Sequence, residues 1–142
     1  MRTQVSFRFP AEFIGSEEDE GILGVNGAVW FADRLRQVSG LSVAPRFIQE
    51  DWGVAIPAER ARQRLWIGLG VFGDGVWIAH LHLSPFARLL SFLPSRRGEL
   101  LALSRDLHSV LASDSAVSEI RWYDERDMKR PPYKWSPTPE SA

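Results

Sequence analysis

A chain of 142 residues with 44% hydrophobic and 25% charged content has the size and make-up of one globular domain, able to bury a core without staples. It has no cysteine, which excludes disulfides, thiolate metal sites and a cysteine nucleophile. A net charge of -1 gives no global attraction to nucleic acid or an anionic membrane.

The charge is unevenly placed. Residues 1–59 hold 5 Lys/Arg against 9 Asp/Glu, and residues 60–142 hold 12 against 9, which points to an acidic face and a basic face. The first ten residues lack the apolar core of a signal peptide, and no window reaches the roughly 20 apolar residues of a membrane span. A cytoplasmic protein without membrane contact is expected.

Residues 3–9 alternate, with Val5, Phe7 and Phe9 on one side and Gln4, Ser6 and Arg8 on the other, the period of a half-buried strand. Pro10 ends it, and an acidic loop follows with Glu17, Glu18, Asp19 and Glu20 at its centre. A helix is predicted from an Asn26 cap to Gly40, burying Ala28, Phe31, Ala32, Leu35 and Val38. An extended segment at 42–48 leads into a three-run meander: 52–56, a charged connection at 57–62, then 64–71 and 76–83. Gly73, Asp74 and Gly75 signal the last hairpin, because glycine reaches positive φ freely. Residues 86–93 form a short apolar helical piece, and a second helix over 95–113 buries Leu100, Leu103, Leu107, Val110 and Leu111. A last strand spans 117–123, and residues 127–142, with four prolines, make an extended tail beyond a single domain at 1–126. The predicted fold is α+β: one mostly antiparallel sheet in the order β-α-β-β-β-β-α-β, with two main helices on one face.

Several side chains are candidates for contact or chemistry. His80 and His82 project from one side of a strand, a spacing that places two imidazoles on one metal ion if His108, Glu50 or Asp51 supplies a third ligand. The bland reading has them capping the end of a core stripe with Val76 and Ile78. No serine sits in a nucleophile elbow, no catalytic residue is assigned, and no cofactor or metal is expected; the balance favours a non-enzyme. Gly68 and Gly70 beside Trp66 leave a flat strip that admits either a packed helix or a ligand. A ligand groove there would draw on Trp66, Gly68, Gly70, Trp77, His80 and His82. Arg60, Arg62 and Arg64 suit a solvated loop, since nucleic acid asks for interleaved aromatics and a more basic balance. Glu50 and Asp51 read as solvated acids opening the meander. Glu17, Glu18, Asp19 and Glu20 suit the encounter of a basic partner, and Trp135, with Tyr133 in the tail, offers an anchor.

Asp51-Trp52-Gly53, Leu65-Trp66-Ile67-Gly68, a leucine-rich helix and Ile120-Arg121-Trp122 together resemble a family of small bacterial α+β proteins of uncharacterised activity, over residues 50–122. Val54 stands where that pattern expects a second aromatic residue. The resemblance implies no activity and no site residues. In general type, small acidic-looped α+β proteins are also similar to toxin-neutralising immunity proteins. The leading expectation is therefore a non-enzymatic, immunity-type module of a bacterial cytoplasm that binds a protein partner, such as a toxin, through an acidic surface. The alternative is a small-ligand or metal-binding protein, an enzyme included, using the Gly68/Gly70 face with His80 and His82. A homo-oligomer joined through residues 86–93 is a third reading.

Overall fold

The computed structural model of the chain describes residues 1–10, 25–71, 75–84 and 94–140. Strand β1 (Gln4–Arg8) is followed by helix α1 (Val25–Leu35) and strands β2 (Leu41–Val43), β3 (Ile48–Glu50), β4 (Gly53–Arg60), β5 (Gln63–Val71) and β6 (Val76–Leu83). Helix α2 (Pro94–Ser113) and strand β7 (Ser118–Tyr123) complete the order. The strands form one seven-stranded sheet in the spatial order β2-β4-β5-β6-β1-β7, with β3 also paired to β4, and each pairing is antiparallel. The α+β class and the placement of the helices thus agree with the sequence pattern, with one strand more than expected.

The extra strand comes from the segment before the meander. Val43 pairs with Ala58 and Ile48 with Ala55, so β2 and β3 lie end to end along the outer edge of β4. Pro57 sits opposite the interruption between them. Its carbonyl accepts the Ala44 N–H at 2.9 Å on that side. In a strand the N–H and C=O of one residue point the same way, so the donor that proline lacks would have faced the gap.

The predicted charged connection at 57–62 is strand as far as Arg60. Only Ala61 and Arg62 turn the chain, at φ 48° and 64°. Two-residue hairpins favour such left-handed pairs because their twist matches the strands, but the usual occupants are Asn and Gly. A side chain in this region is unfavourable by about 1–2 kcal/mol per residue. Ala61→Asn combined with Arg62→Gly should therefore raise unfolding stability by about 1–2 kcal/mol. A urea midpoint equal to or below that of the parent would refute this reading of the turn.

Side chains of one sheet face build the core: Val5 and Phe7, Val54, Ile56 and Ala58, Leu65, Ile67 and Leu69, and Trp77, Ala79, Leu81 and Leu83. Both helices cover this face. Helix α1 buries Ala28, Phe31, Ala32 and Leu35, and α2 buries Leu100, Leu103, Leu107, Val110 and Leu111. Pro94 at the first position of α2 loses no hydrogen bond, since the first-turn N–H groups of a helix have no partner within it. Two details of α1 differ from expectation. Asn26 lies inside its first turn instead of capping it. The helix also stops at Leu35, where turn bonds from Gln37 and Val38 to Arg34 and Leu35 lead to Gly40 at φ 78°. A Cβ at Gly27 would stand 2.4 Å from the fully buried Trp77 ring, so this glycine sets how closely α1 sits on the sheet.

Residues 127–140 run past β7. Ser136 bridges to Trp122 through two backbone bonds of 2.8 and 2.9 Å. Arg121 lies 5.1 Å from the Trp135 ring centre, and Glu140 pairs with Arg105 of α2 at 2.7 Å. Among the described residues no helix is long and apolar enough to cross a membrane. The acidic run at Glu17, Glu18, Asp19 and Glu20, the Gly73-Asp74 hairpin tip and the apolar piece at 86–93 lie outside the described residues.

Candidate binding face

Strand alternation sends the remaining side chains to the sheet face opposite the helices. There the register sets Ala55, Gly68, His80 and Gln4 in one row across β4, β5, β6 and β1. Pro57, Trp66 and His82 form a second row, and Gly70, Ile78 and Ser6 a third. Arg121 and Tyr123 extend this face onto β7, where the Tyr123 hydroxyl lies 3.3 Å from Ser6 Oγ.

The glycine strip is not packed under a helix. It carries the chain's own Trp52. A Cβ at Gly68 would stand 2.7 Å from Cη2 of that indole, and one at Gly70 would stand 3.0 Å from the Trp52 carbonyl oxygen. At Gly53 a Cβ would come within 2.2 Å of the Leu69 carbonyl oxygen, and φ there is +154°. Gly53, Gly68 and Gly70 therefore answer one need: they let the β3–β4 turn fold down so that a large ring lies against β5. Trp52 is still 50% exposed. Neither the acids before it nor the glycines across from it disclose this separately. The signal is their combination, a tryptophan followed by glycine entering one strand and Gly-x-Gly on its neighbour.

His80 and His82 share a side, as the spacing predicts, and Val76 and Ile78 share it with them. That side is the helix-free one, so the core-stripe reading fails: the buried members of β6 are Trp77, Ala79, Leu81 and Leu83. Trp77 therefore points away from the histidines into the core, edge-on to Phe9 at 5.9 Å, and is separated from the other groove residues. His108 is also on the helix side, where its Nδ1 accepts the Trp122 indole N–H at 3.1 Å and ties α2 to β7. Glu50 and Asp51 stand at the far edge, beyond β4 and β5. Among the described residues no group of three His, Asp or Glu is placed to hold a metal ion. The arginines are dispersed as well. Arg60 points to the helix side and pairs with Asp106, Arg62 sits at the hairpin tip, and Arg64 lies opposite Glu59.

Where β6 runs past the start of β1, a cavity of about 820 Å³ opens at the end of the sheet, lined by Gln4, His80, His82, Arg97, Asp124 and Arg126 among others. The Asp124 carboxyl is held below its ordinary range, first by the Arg126 backbone N–H at 3.0 Å and then by the chain's amino terminus at 3.5 Å. Burial lowers the pKa of His80 below the ordinary 6.5. The folded state then binds a proton at His80 less readily than the unfolded state does. This group's share of stability is intact above about pH 6.5 and declines as the pH falls toward the folded pKa. Unfolding midpoints measured between pH 7.5 and 5 should thus fall less for His80→Gln than for the parent chain. Parallel curves would contradict the assignment.

No protein-family model, no curated protein and no solved structure matches this chain.

Proposed function

We propose that the chain is a non-enzymatic protein-binding module of the immunity type, whose contact face is the helix-free side of the sheet. One observation carries this reading: Trp52 is half-exposed yet seated against glycine, so its ring is presented at the surface beside β5. A tryptophan held this way offers a large contact area at little entropic cost, which is what the dominant anchors of protein interfaces share. A second ring supports it. Trp135, 51% exposed, stacks on Arg121 at the other end of the row that runs through Gly70, Ile78 and Ser6. Three inter-strand steps separate β5 from β7, roughly 14 Å at ordinary strand spacing, which fits inside one standard interface. The acidic half of the chain, with Glu17, Glu18, Asp19 and Glu20, supplies the charge that would speed encounter with a basic partner, such as a toxin.

The test needs a purified partner, sought first in the product of the neighbouring coding sequence. Trp52→Ser should weaken binding at least tenfold at unchanged fold, through faster dissociation. Charge reversal at Glu17, Glu18, Asp19 and Glu20 should slow association and flatten its salt dependence. Equal affinity and rates for both variants would end the proposal.

A second reading draws on the cavity beside His80 and His82, whose volume suits a small polar ligand. Saturable binding from a polar-metabolite panel, lost in His82→Ala but kept in Trp52→Ser, would favour it over a protein contact face.

A further inference from the structure

We infer that the Trp52 corner is shaped to receive a cationic side chain, arginine before lysine, from a protein partner. The inference rests on reading the helix-free face as a contact surface and names the chemistry of what lands on it.

Glu50, Asp51 and Trp52 belong to one tight turn, and all three are exposed. Glu50 pairs with Gly53 and Ile48 with Ala55, so strand alternation puts Glu50 and Ile48 on the same side as the Trp52 ring. The far edge of that ring meets Gly68, and half of the indole remains exposed to a partner. Among the described residues neither Glu50 nor Asp51 has an ion-pair partner, whereas Asp33, Asp106, Asp114, Glu119 and Glu140 each have an arginine.

The chain uses the same chemistry elsewhere. Arg34 lies 5.3 Å from the Trp30 ring centre and Arg121 lies 5.1 Å from that of Trp135. Among the described residues no cation lies over Trp52. A tryptophan face attracts cations through its quadrupole, and adjacent carboxylates add to that attraction. A guanidinium, planar and weakly hydrated, can stack on the ring while its edge bonds a carboxylate, which an ammonium does less well. Other occupants fit poorly. A stacked nucleobase would bring a phosphate toward two carboxylates. An apolar loop would cover Glu50 and Asp51 without pairing them.

The experiment titrates the isotope-labelled chain with tri-arginine, tri-lysine and tri-glutamate peptides and follows the Trp52 indole N–H resonance. Tri-arginine should shift it saturably, tri-lysine more weakly and tri-glutamate not at all. Added salt should weaken the response, Glu50→Gln with Asp51→Asn should weaken binding at least fivefold, and Trp52→Leu should abolish it. If Trp52→Leu does not fold, the surface double variant decides alone. An equal response to tri-glutamate, or a tri-arginine response that leaves the Trp52 resonance unmoved, overturns the inference. The two readings fail separately. Loss of a purified partner by Trp52→Ser, with no effect of the carboxylate variants and a silent titration, leaves the contact face standing and removes the cation. A partner footprint confined to the helices removes both.

Discussion

Replacing Gly53 with alanine is expected to cost about 3–5 kcal/mol, a large part of the stability of a domain this size. The new methyl would meet the Leu69 carbonyl oxygen at 2.2 Å, a backbone atom fixed in the β4–β5 ladder, and φ +154° is itself unfavourable for an L-residue. Relief would require separating the start of β4 from β5, which also lifts the turn that seats Trp52. Gly68→Ala makes the useful contrast. There the obstacle is the edge of a half-exposed indole, 2.7 Å away, which can swing outward. The expected cost is about 1 kcal/mol, with a red-shifted Trp52 emission as the ring enters water. Urea unfolding distinguishes the cases, and a Gly53→Ala variant within about 1 kcal/mol of the parent would show that the turn is not held as described.

The second large effect is expected at Arg60. This side chain points from β4 to the helix side, is 18% exposed, and pairs with Asp106 of α2, with Glu99 4.0 Å away. Arg60→Met removes a cation from between two partly buried carboxylates. Breaking a fully buried pair costs about 3–5 kcal/mol; with Asp106 24% exposed, solvent screening brings the expectation to about 2–3 kcal/mol. Arg60→Met together with Asp106→Leu should recover most of that loss, because it removes the unpaired charge as well as the pair. A double-mutant cycle measures the coupling directly. Additive losses would mean that the pair does not join α2 to the sheet.

The parts of the fold that could be read from the sequence are those where burial imposes a period. Val5 and Phe7, the odd positions from Leu65 to Leu69, and Leu100, Leu103, Leu107 and Leu111 of α2 each repeat at the spacing of their element, and each is buried. Where a contact between distant residues decides, the pattern gave little warning. Residues 57–62 read as a charged connection because the interrupted edge that lets Pro57 lie within a strand is set by β2 and β3. Ala61 and Arg62 carry no turn signal, and the hairpin holds them in left-handed geometry because strands on both sides fix the register. The histidines share a side as expected. The core-stripe reading of that side fails because β6 is apolar at Val76 and Ile78 as well as at Leu81 and Leu83, whereas the groove reading set them with Gly68 and Gly70, where the register has them. The glycine strip posed the right question with two answers offered, and the turn's own indole was a third.

The proposed interface would bring a protein partner onto the helix-free face around Trp52. Backbone hydrogen exchange, compared between the free chain and its complex with a purified partner, tests it most directly. Exchange should slow at residues 48–56 and 64–70, extending to 76–82, with α1 and α2 unchanged. Slowing confined to the two helices, with the Trp52 turn exchanging as in the free chain, would contradict it.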